Sequence, residues 1–199
     1  MNIEPIPDAM IGQVATLFQR SFADDPGMRY ICQYEQKGYE KRLSAWFLAL
    51  LQMQVVNQQP ILGICEAGDY VACATLTLPQ TKLKTMSLIK WVVTVLFQVG
   101  FIGLWRTMGH VGRISRYQPK TRHYRLEFIA VHPNYQGKGY GRMLLDKIHQ
   151  MSETDAHSQG VWLETTNPVN VGLYEHVGYV VENRFMMADE VEAVIMFRK

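Results

Sequence analysis

The run Gln136-Gly137-Lys138-Gly139-Tyr140-Gly141-Arg142 places three glycines between an apolar segment, Leu126-Glu127-Phe128-Ile129-Ala130-Val131, and a helical pattern carrying Met143, Leu144, Leu145 and Ile148. Glycine adopts positive φ freely, so such a run can turn several backbone N–H groups toward one point. The positive end of the following helix adds to that field, and the guest that suits it is a phosphate or pyrophosphate. Spacing narrows the choice. A Walker loop closes on Gly-Lys-Ser/Thr, whereas this run closes on Gly-Arg. A dinucleotide fingerprint requires its third glycine at position 142, where Arg142 stands, although Glu164 occupies the place of a ribose-binding acid about 20 residues on. A Gln-x-x-Gly-x-Gly pyrophosphate loop is matched by Gln136, Gly139 and Gly141. Taken alone, the run also fits a tight turn.

A second block follows. Gly160-Val161-Trp162-Leu163-Glu164-Thr165 reads as a short buried strand, trailed by Thr166-Asn167-Pro168-Val169-Asn170. A short helix then carries Leu173-Tyr174-Glu175-His176-Val177 and stops at Gly178, before a new strand at Tyr179-Val180-Val181. Together the two blocks resemble the GNAT superfamily of acyl-CoA-dependent N-acetyltransferases. The second resembles its puromycin-acetyltransferase-like branch, whose Leu-Glu-Thr-Ser, Asn and Phe-Tyr-Glu-x-x-Gly-Phe appear here as Leu163-Glu164-Thr165-Thr166, Asn170 and Leu173 to Tyr179. The resemblance covers roughly residues 122 to 180; elsewhere it is one of layout.

The resemblance implies an α/β (α+β) fold: a mixed, mostly antiparallel sheet of about seven strands with helices on both faces. It implies acetyl-CoA as cofactor, held by Ile129, Ala130 and Val131 on the strand, by Gln136, Gly137, Lys138, Gly139, Tyr140, Gly141 and Arg142 in the loop, and by Asn170 and Tyr174 beyond it. Tyr140 is expected to contribute backbone only.

Chemical need assigns roles within that frame. A lysine-like amine, of pKa about 10.4, must lose a proton before it attacks a thioester. The resemblance places acidic residues on the cofactor strand in the role of base, which here is Glu127; the competing reading makes Glu127 an ion-pair partner of Arg125 or Arg122. Negative charge developing on the carbonyl oxygen needs an oriented N–H donor, which the resemblance draws from backbone near Ile129 to Val131. The departing thiolate, of thiol pKa about 8.5, takes a proton well from a phenol. Tyr174 occupies the family's position for that acid; the competing reading packs it between helix and sheet.

The elements that must position these residues are legible upstream. A brief strand near Asn2 to Ile6 leads to a helix carrying Ile11, Val14, Ala15, Phe18 and Phe22, which Asp24-Asp25-Pro26-Gly27 breaks. A second helix is predicted from about Lys37 to Asn57. Ile61–Glu66 and Tyr70–Leu78 read as a hairpin joined at Ala67-Gly68-Asp69. The 199 residues, 48% of them hydrophobic, suffice for one domain with a sizeable core. Three scattered cysteines suit a reducing cytosol better than a disulfide scaffold, and Glu4 and Asp8 stand where a signal peptide would carry positive charge, so a cytoplasmic location is expected. Six histidines show no metal-ligand spacing, and no metal is expected.

Pro79 to about Thr121 departs from the layout, inserting about forty residues between the third and fourth strands. Met86 to Trp105 is nearly all apolar and about as long as a membrane span. Gly100 and Gly103 weaken a single helix, and a span here would interrupt the sheet. A helical pair packing on the domain or covering the substrate mouth is the preferred reading, with association at a membrane surface as the alternative. From Tyr70 through Leu126 there is no Asp or Glu, while Lys82, Lys84, Lys90, Arg106, Arg113, Arg116, Lys120, Arg122 and Arg125 crowd the same segment of a chain whose net charge is only +2. Solvated flanks, the CoA 3′-phosphate, an acidic substrate and anionic lipid all fit that asymmetry; no recognised nucleic-acid motif accompanies it.

The sequence therefore predicts an acetyl-CoA-dependent N-acetyltransferase acting on a small-molecule or peptide amine by direct attack in a ternary complex. A non-catalytic acyl-CoA-binding regulatory module and a nicotinamide dinucleotide enzyme stand as alternatives.

Overall fold

The computed structural model describes residues 2–199. It is built on a seven-stranded sheet of order β1-β2-β3-β4-β5-β7-β6. In chain order the strands are β1 (Ile3–Pro5), β2 (Ile61–Glu66), β3 (Asp69–Thr77), β4 (Tyr124–Val131), β5 (Val161–Thr165), β6 (Val180–Ala188) and β7 (Val191–Arg198). Every pairing is antiparallel except β4 with β5. The hairpin β2–β3 turns on Ala67 and Gly68, both at positive φ.

Helices cover both faces. On one lie α1 (Ile11–Ser21), α2 (Pro26–Ile31) and α3 (Tyr39–Val56), with α4 (Thr85–Gln98) packed against α3 and α5 (Phe101–Ile114) running past α2 to set Ile114 on Trp162 and Ile195 of the sheet. Their core joins Phe18, Phe47, Leu43 and Leu51 to Ala130 of β4, and Phe18 and Phe47 stack at 5.1 Å. On the other face, α6 (Tyr140–Thr154) and α7 (Pro168–His176) press Leu144, Leu145, Ile148 and Tyr174 onto Leu126, Val161 and Leu163. Burying such side chains contributes about 1.5–3 kcal/mol each, so each face holds its helices independently.

The insertion between β3 and β4 is the expected helical pair, α4 and α5, joined by Val99 and Gly100. Ser87, Trp91 and Val95 of α4 face inward, and Gly103 of α5 lies so close to α2 that a Cβ there would stand 3.2 Å from the Ile31 carbonyl oxygen. Among the described residues, no helix is long and apolar enough to cross a membrane. One element was not foreseen. The Asp24-to-Gly27 break is followed at once by α2, because Asp25 accepts from Met28 N at 2.9 Å and Pro26 takes the first helical position.

Candidate functional site

β4 and β5 run together only as far as Leu126 beside Leu163. Beyond that point the strands part, and β4 carries a bulge: Phe128 pairs with Thr75 and Leu126 with Leu76, leaving Glu127 as the extra residue. A bulge twists its strand and re-aims the side chain it contains. The backbone from Glu127 to Val131 thus faces β3 on one side and an opening on the other.

The loop after β4 supplies the second wall. Pro133–Tyr135 forms a single 3-10 turn, and Gly137 and Gly139 then take φ of 77° and 84°. These values suit glycine, as the run predicts. Among the described residues, no hydrogen-bond acceptor meets the N–H groups of residues 137 to 142, whereas Met143 N already bonds Gly139 O at 3.0 Å. Six consecutive donors at the start of a 15-residue helix make an anion cradle. Arg142 leans back on Asp146 at 2.8 Å, and Lys138 Nζ sits 4.6 Å from the centre of the Tyr135 ring. Gln136 Nε2 donates to Val131 O at 3.3 Å, and Ser21 Oγ donates to the same oxygen at 3.2 Å, tying loop, β4 and α1 together. Tyr140 is buried, with its hydroxyl donating to Glu66 at 2.9 Å. Its side chain anchors α6 on the core, and only its N–H joins the cradle.

Glu127 realises the ion pair. Its Oε1 accepts from Thr77 Oγ1 at 2.7 Å and its Oε2 pairs with Arg125 Nε at 3.1 Å. Arg125 in turn lies 4.9 Å over the buried Trp162 ring. Arg122 takes no part. The carboxylate is held in one rotamer, yet each oxygen keeps a free lone pair.

Tyr174, on α7, is buried and meets Tyr179 edge to face at 5.6 Å. Its hydroxyl makes no hydrogen bond within the described chain. Burial, then the nearby Asp25 carboxylate, pushes the phenol well above its usual range. Asn170 lies on the same helix, partly exposed, one turn before Tyr174. The helix itself is capped by Asn167, which accepts from Val169 N at 3.1 Å.

Asp25 and His110, both outside the two motifs, complete the mouth through Thr166 and Glu164. Asp25 accepts from Thr166 Oγ1 at 3.2 Å, and Thr166 also accepts from Gly27 N, so the start of α2 is stitched to the end of β5. Burial raises the Asp25 pKa, opposed by the bond from Met28 N, and the neighbouring Glu164 adds to the rise. Glu164 is bound by His110 Nε2 at 3.0 Å, and His110 comes from α5 of the insertion. The His110 ring stacks on Phe185 at 5.9 Å, and its Nδ1 is buried without a partner. Glu164 is therefore engaged by the insertion helix rather than standing free as a ribose acid. The Asp-Pro capping signal could have located Asp25; nothing local to His110 marks it. A cavity of about 280 Å³ lies between α3 and α4, and one of about 400 Å³ lies beside α1, bordered by His132 and Tyr135 of the loop after β4.

Comparison with known proteins agrees with this geometry. Residues 90–181 match the family model described as acetyltransferase (GNAT) domain. No curated protein sequence matches the chain. Among solved structures, the chain is similar to a histone acetyltransferase HPA2 and related acetyltransferase from Corynebacterium glutamicum, at 20% identity and a TM-score of 0.68 over 99% of this chain and 94% of that one. It is similar to arylalkylamine N-acetyltransferase 2 from Aedes aegypti, at 14% identity and a TM-score of 0.62 over 99% and 97%. It is also similar to the PaiA N-acetyltransferase from Thermoplasma acidophilum in complex with coenzyme A, at 14% identity and a TM-score of 0.60 over 100% and 98%. A splayed β4–β5 pair, a glycine cradle ahead of α6 and a matched domain model from α4 to β6 together make this the GNAT fold, with an acetyltransferase (GNAT) domain match across residues 90–181.

Proposed function

We propose that the chain is an acetyl-CoA-dependent N-acetyltransferase, working as one domain with residues 79–121 as its substrate-side wall. The observation that carries this reading is the row of six unpartnered N–H groups at 137 to 142, set where β4 and β5 separate. The coenzyme A bound to the structurally similar Thermoplasma enzyme supports the same guest. Gly137, Lys138, Gly139, Tyr140, Gly141 and Arg142 hold the pyrophosphate through backbone N–H groups. Gln136, whose own N–H is taken by Pro133 O, braces the loop through its side chain on Val131 O. Ile129, Ala130 and Val131 hold the pantetheine arm along the opened edge. Asn170 and Tyr174 close the far side. The puromycin-acetyltransferase-like pattern of Leu163 to Tyr179 supports that assignment.

Acetyl-CoA, when bound, supplies the acetyl thioester; the chain does the rest. Glu127 draws the proton from the amine, directly or through water, while Thr77 and Arg125 fix its rotamer. Backbone N–H of the bulged strand stabilises charge on the carbonyl oxygen. Tyr174 stays protonated at neutral pH because burial disfavours the phenolate, so its proton is available to a departing thiolate. His110 positions the amine: with Nε2–H donated to Glu164, its Nδ1 becomes an acceptor for an amine N–H. The amine is a small molecule or a peptide terminus, and the Phe185 and Tyr117 rings stacked at 5.2 Å beside His110 favour one with an apolar body.

The test is a panel of amines with acetyl-CoA, read as free thiol and then as product mass. Thiol release with an acetylated amine supports the proposal. Tight acetyl-CoA binding with no thiol released by any amine would instead indicate the regulatory module, and binding of NADH without coenzyme A would remove both.

A further inference from the structure

The outer surface of the insertion is not explained by acyl transfer. Phe97, Phe101 and Trp105, around the Val99–Gly100 turn, are 79%, 71% and 69% exposed. Met86 and Val93 continue the strip along α4, since positions 86, 90, 93 and 97 share one helical face, and Met108 continues it along α5. Isolated exposed apolar residues are ordinary, but a continuous strip across two neighbouring helices marks a contact surface. The inward faces of the same helices are already filled by Trp91, Val95 and Thr107, so the strip has no partner within the described chain.

Charge decides what covers it. Lys90 lies within the strip, and Lys82, Lys84, Arg116 and Lys120 flank the two helices. None of the five has an acidic partner among the described residues, and the segment from Tyr70 through Leu126 holds no carboxylate at all. A second copy of the chain, packed about a two-fold axis, would bring this same face and the same cations together, which like-charge repulsion opposes. An anionic bilayer satisfies both features at once: the aromatic and aliphatic side chains enter the boundary between headgroups and acyl chains, and the cations meet the phosphates.

We propose that the outer face of α4 and α5 docks the protein on an anionic membrane surface, peripherally and reversibly, with the Phe97–Phe101–Trp105 cluster inserted. The opposite faces of these helices carry His110 to Glu164, so docking would hold the mouth of the site close to the lipid boundary.

Trp105 provides a built-in probe, because Trp46, Trp91 and Trp162 are buried. The experiment is co-sedimentation of the intact protein with vesicles of phosphatidylcholine alone or of phosphatidylcholine with phosphatidylglycerol, at low and high salt, with tryptophan emission followed in parallel. The expected result is binding at least about tenfold tighter to the anionic vesicles, a shift of emission to shorter wavelength, and release by salt. The triple variant F97S/F101S/W105S should keep its secondary structure and lose at least about tenfold in binding. The double variant K82E/K90E, independent of the aromatic residues, should lose about fivefold or more for each cation reversed. Protein that remains in the supernatant with anionic vesicles overturns the proposal. So does vesicle binding that survives both variants. A wild-type dimer by sedimentation velocity that becomes monomeric in the triple variant overturns it in favour of a second copy of the chain. Each variant has its own readout, so failure of the amine panel leaves this inference standing, and the reverse holds as well.

Discussion

The loop before α6 and the helical pair α4–α5 both reach the opening between β4 and β5, and they are built by opposite rules. In the loop the working groups are backbone N–H donors, and side chains matter mainly by being absent, as at Gly137 and Gly139. In the insertion the backbone is hidden inside helices, and the working groups are side chains: His110 toward the sheet, Phe97, Phe101 and Trp105 away from it. A backbone cradle suits a guest that never changes. A side-chain wall can be altered one residue at a time, which makes it the place for selecting an amine or a surface. Substitutions should therefore act almost all-or-none in the loop and by degrees in the insertion.

The largest effect is expected from Gly139→Val. A β-branched residue resists the φ of 84° and fills the cradle. Acetyl-CoA at about a hundredfold excess over its Kd should stabilise the wild type by about 2.7 kcal/mol, and calorimetry with thermal melts should find that stabilisation gone in the variant while its unliganded melt stays cooperative. Equal binding by both proteins would place the cofactor elsewhere.

Tyr174→Phe should come next, lowering kcat by roughly ten- to a thousandfold with acetyl-CoA affinity nearly unchanged. Because burial raises the Tyr174 phenol, the wild-type kcat profile should show no loss from its ionisation at or below pH 10, the ordinary phenol value. An alkaline limb near pH 10 that Tyr174→Phe abolishes would contradict the raised pKa and leave the acid role in place.

Glu127→Gln and His110→Gln set the two regions directly against each other. Glu127→Gln should reduce kcat by roughly ten- to a hundredfold at low pH, and by less as pH approaches the pKa of the amine. His110→Gln should instead raise KM for the amine by about tenfold with a smaller change in kcat, since it removes an orienting contact rather than the base. Exchanged profiles, with the pH-dependent loss at His110, would make the insertion the seat of the base.

The smallest effect lies behind the cradle. His149 of α6 sits 3.1 Å from the Tyr179 hydroxyl, and burial, reinforced by Arg198, lowers its pKa to about 4 from an ordinary value near 6.5. Between those values the unfolded chain binds a proton that the folded chain refuses, so stability falls as pH drops from about 6.5 toward 4 and is insensitive to this group above that window. His149→Gln should shallow the acid side of a Tm-against-pH curve by a few degrees. Parallel curves would show that the acid sensitivity arises elsewhere.

The same contrast accounts for what could be read in advance. The cradle was legible because its parts are consecutive: strand, glycines at fixed offsets, helix. The β2–β3 hairpin and the helical insertion followed from hydrophobic period and turn residues, whereas the count of about seven strands came from the family resemblance. The Asp25–Thr166 and His110–Glu164 contacts span 141 and 54 positions, and no local pattern encodes a meeting across that separation. Glu127 was legible as a residue but not as a geometry, because its rotamer depends on Thr77, 50 positions away. The helix α2 was overlooked because an Asp-Pro-Gly sequence signals a break as strongly as it signals a start.

The strand order has a consequence for how the molecule is made. β7 lies between β5 and β6, although both precede it in the chain. During synthesis, β6 has no neighbour to pair with until Val191–Arg198 leaves the ribosome, and β5 keeps one edge open for the same interval. The other half of the sheet, β1 to β4, can close earlier, around the β2–β3 hairpin, because all four of its strands precede residue 132. The nascent chain thus holds a finished half and a waiting half, and its exposure to wrong partners ends only when one late strand slides into the gap left for it.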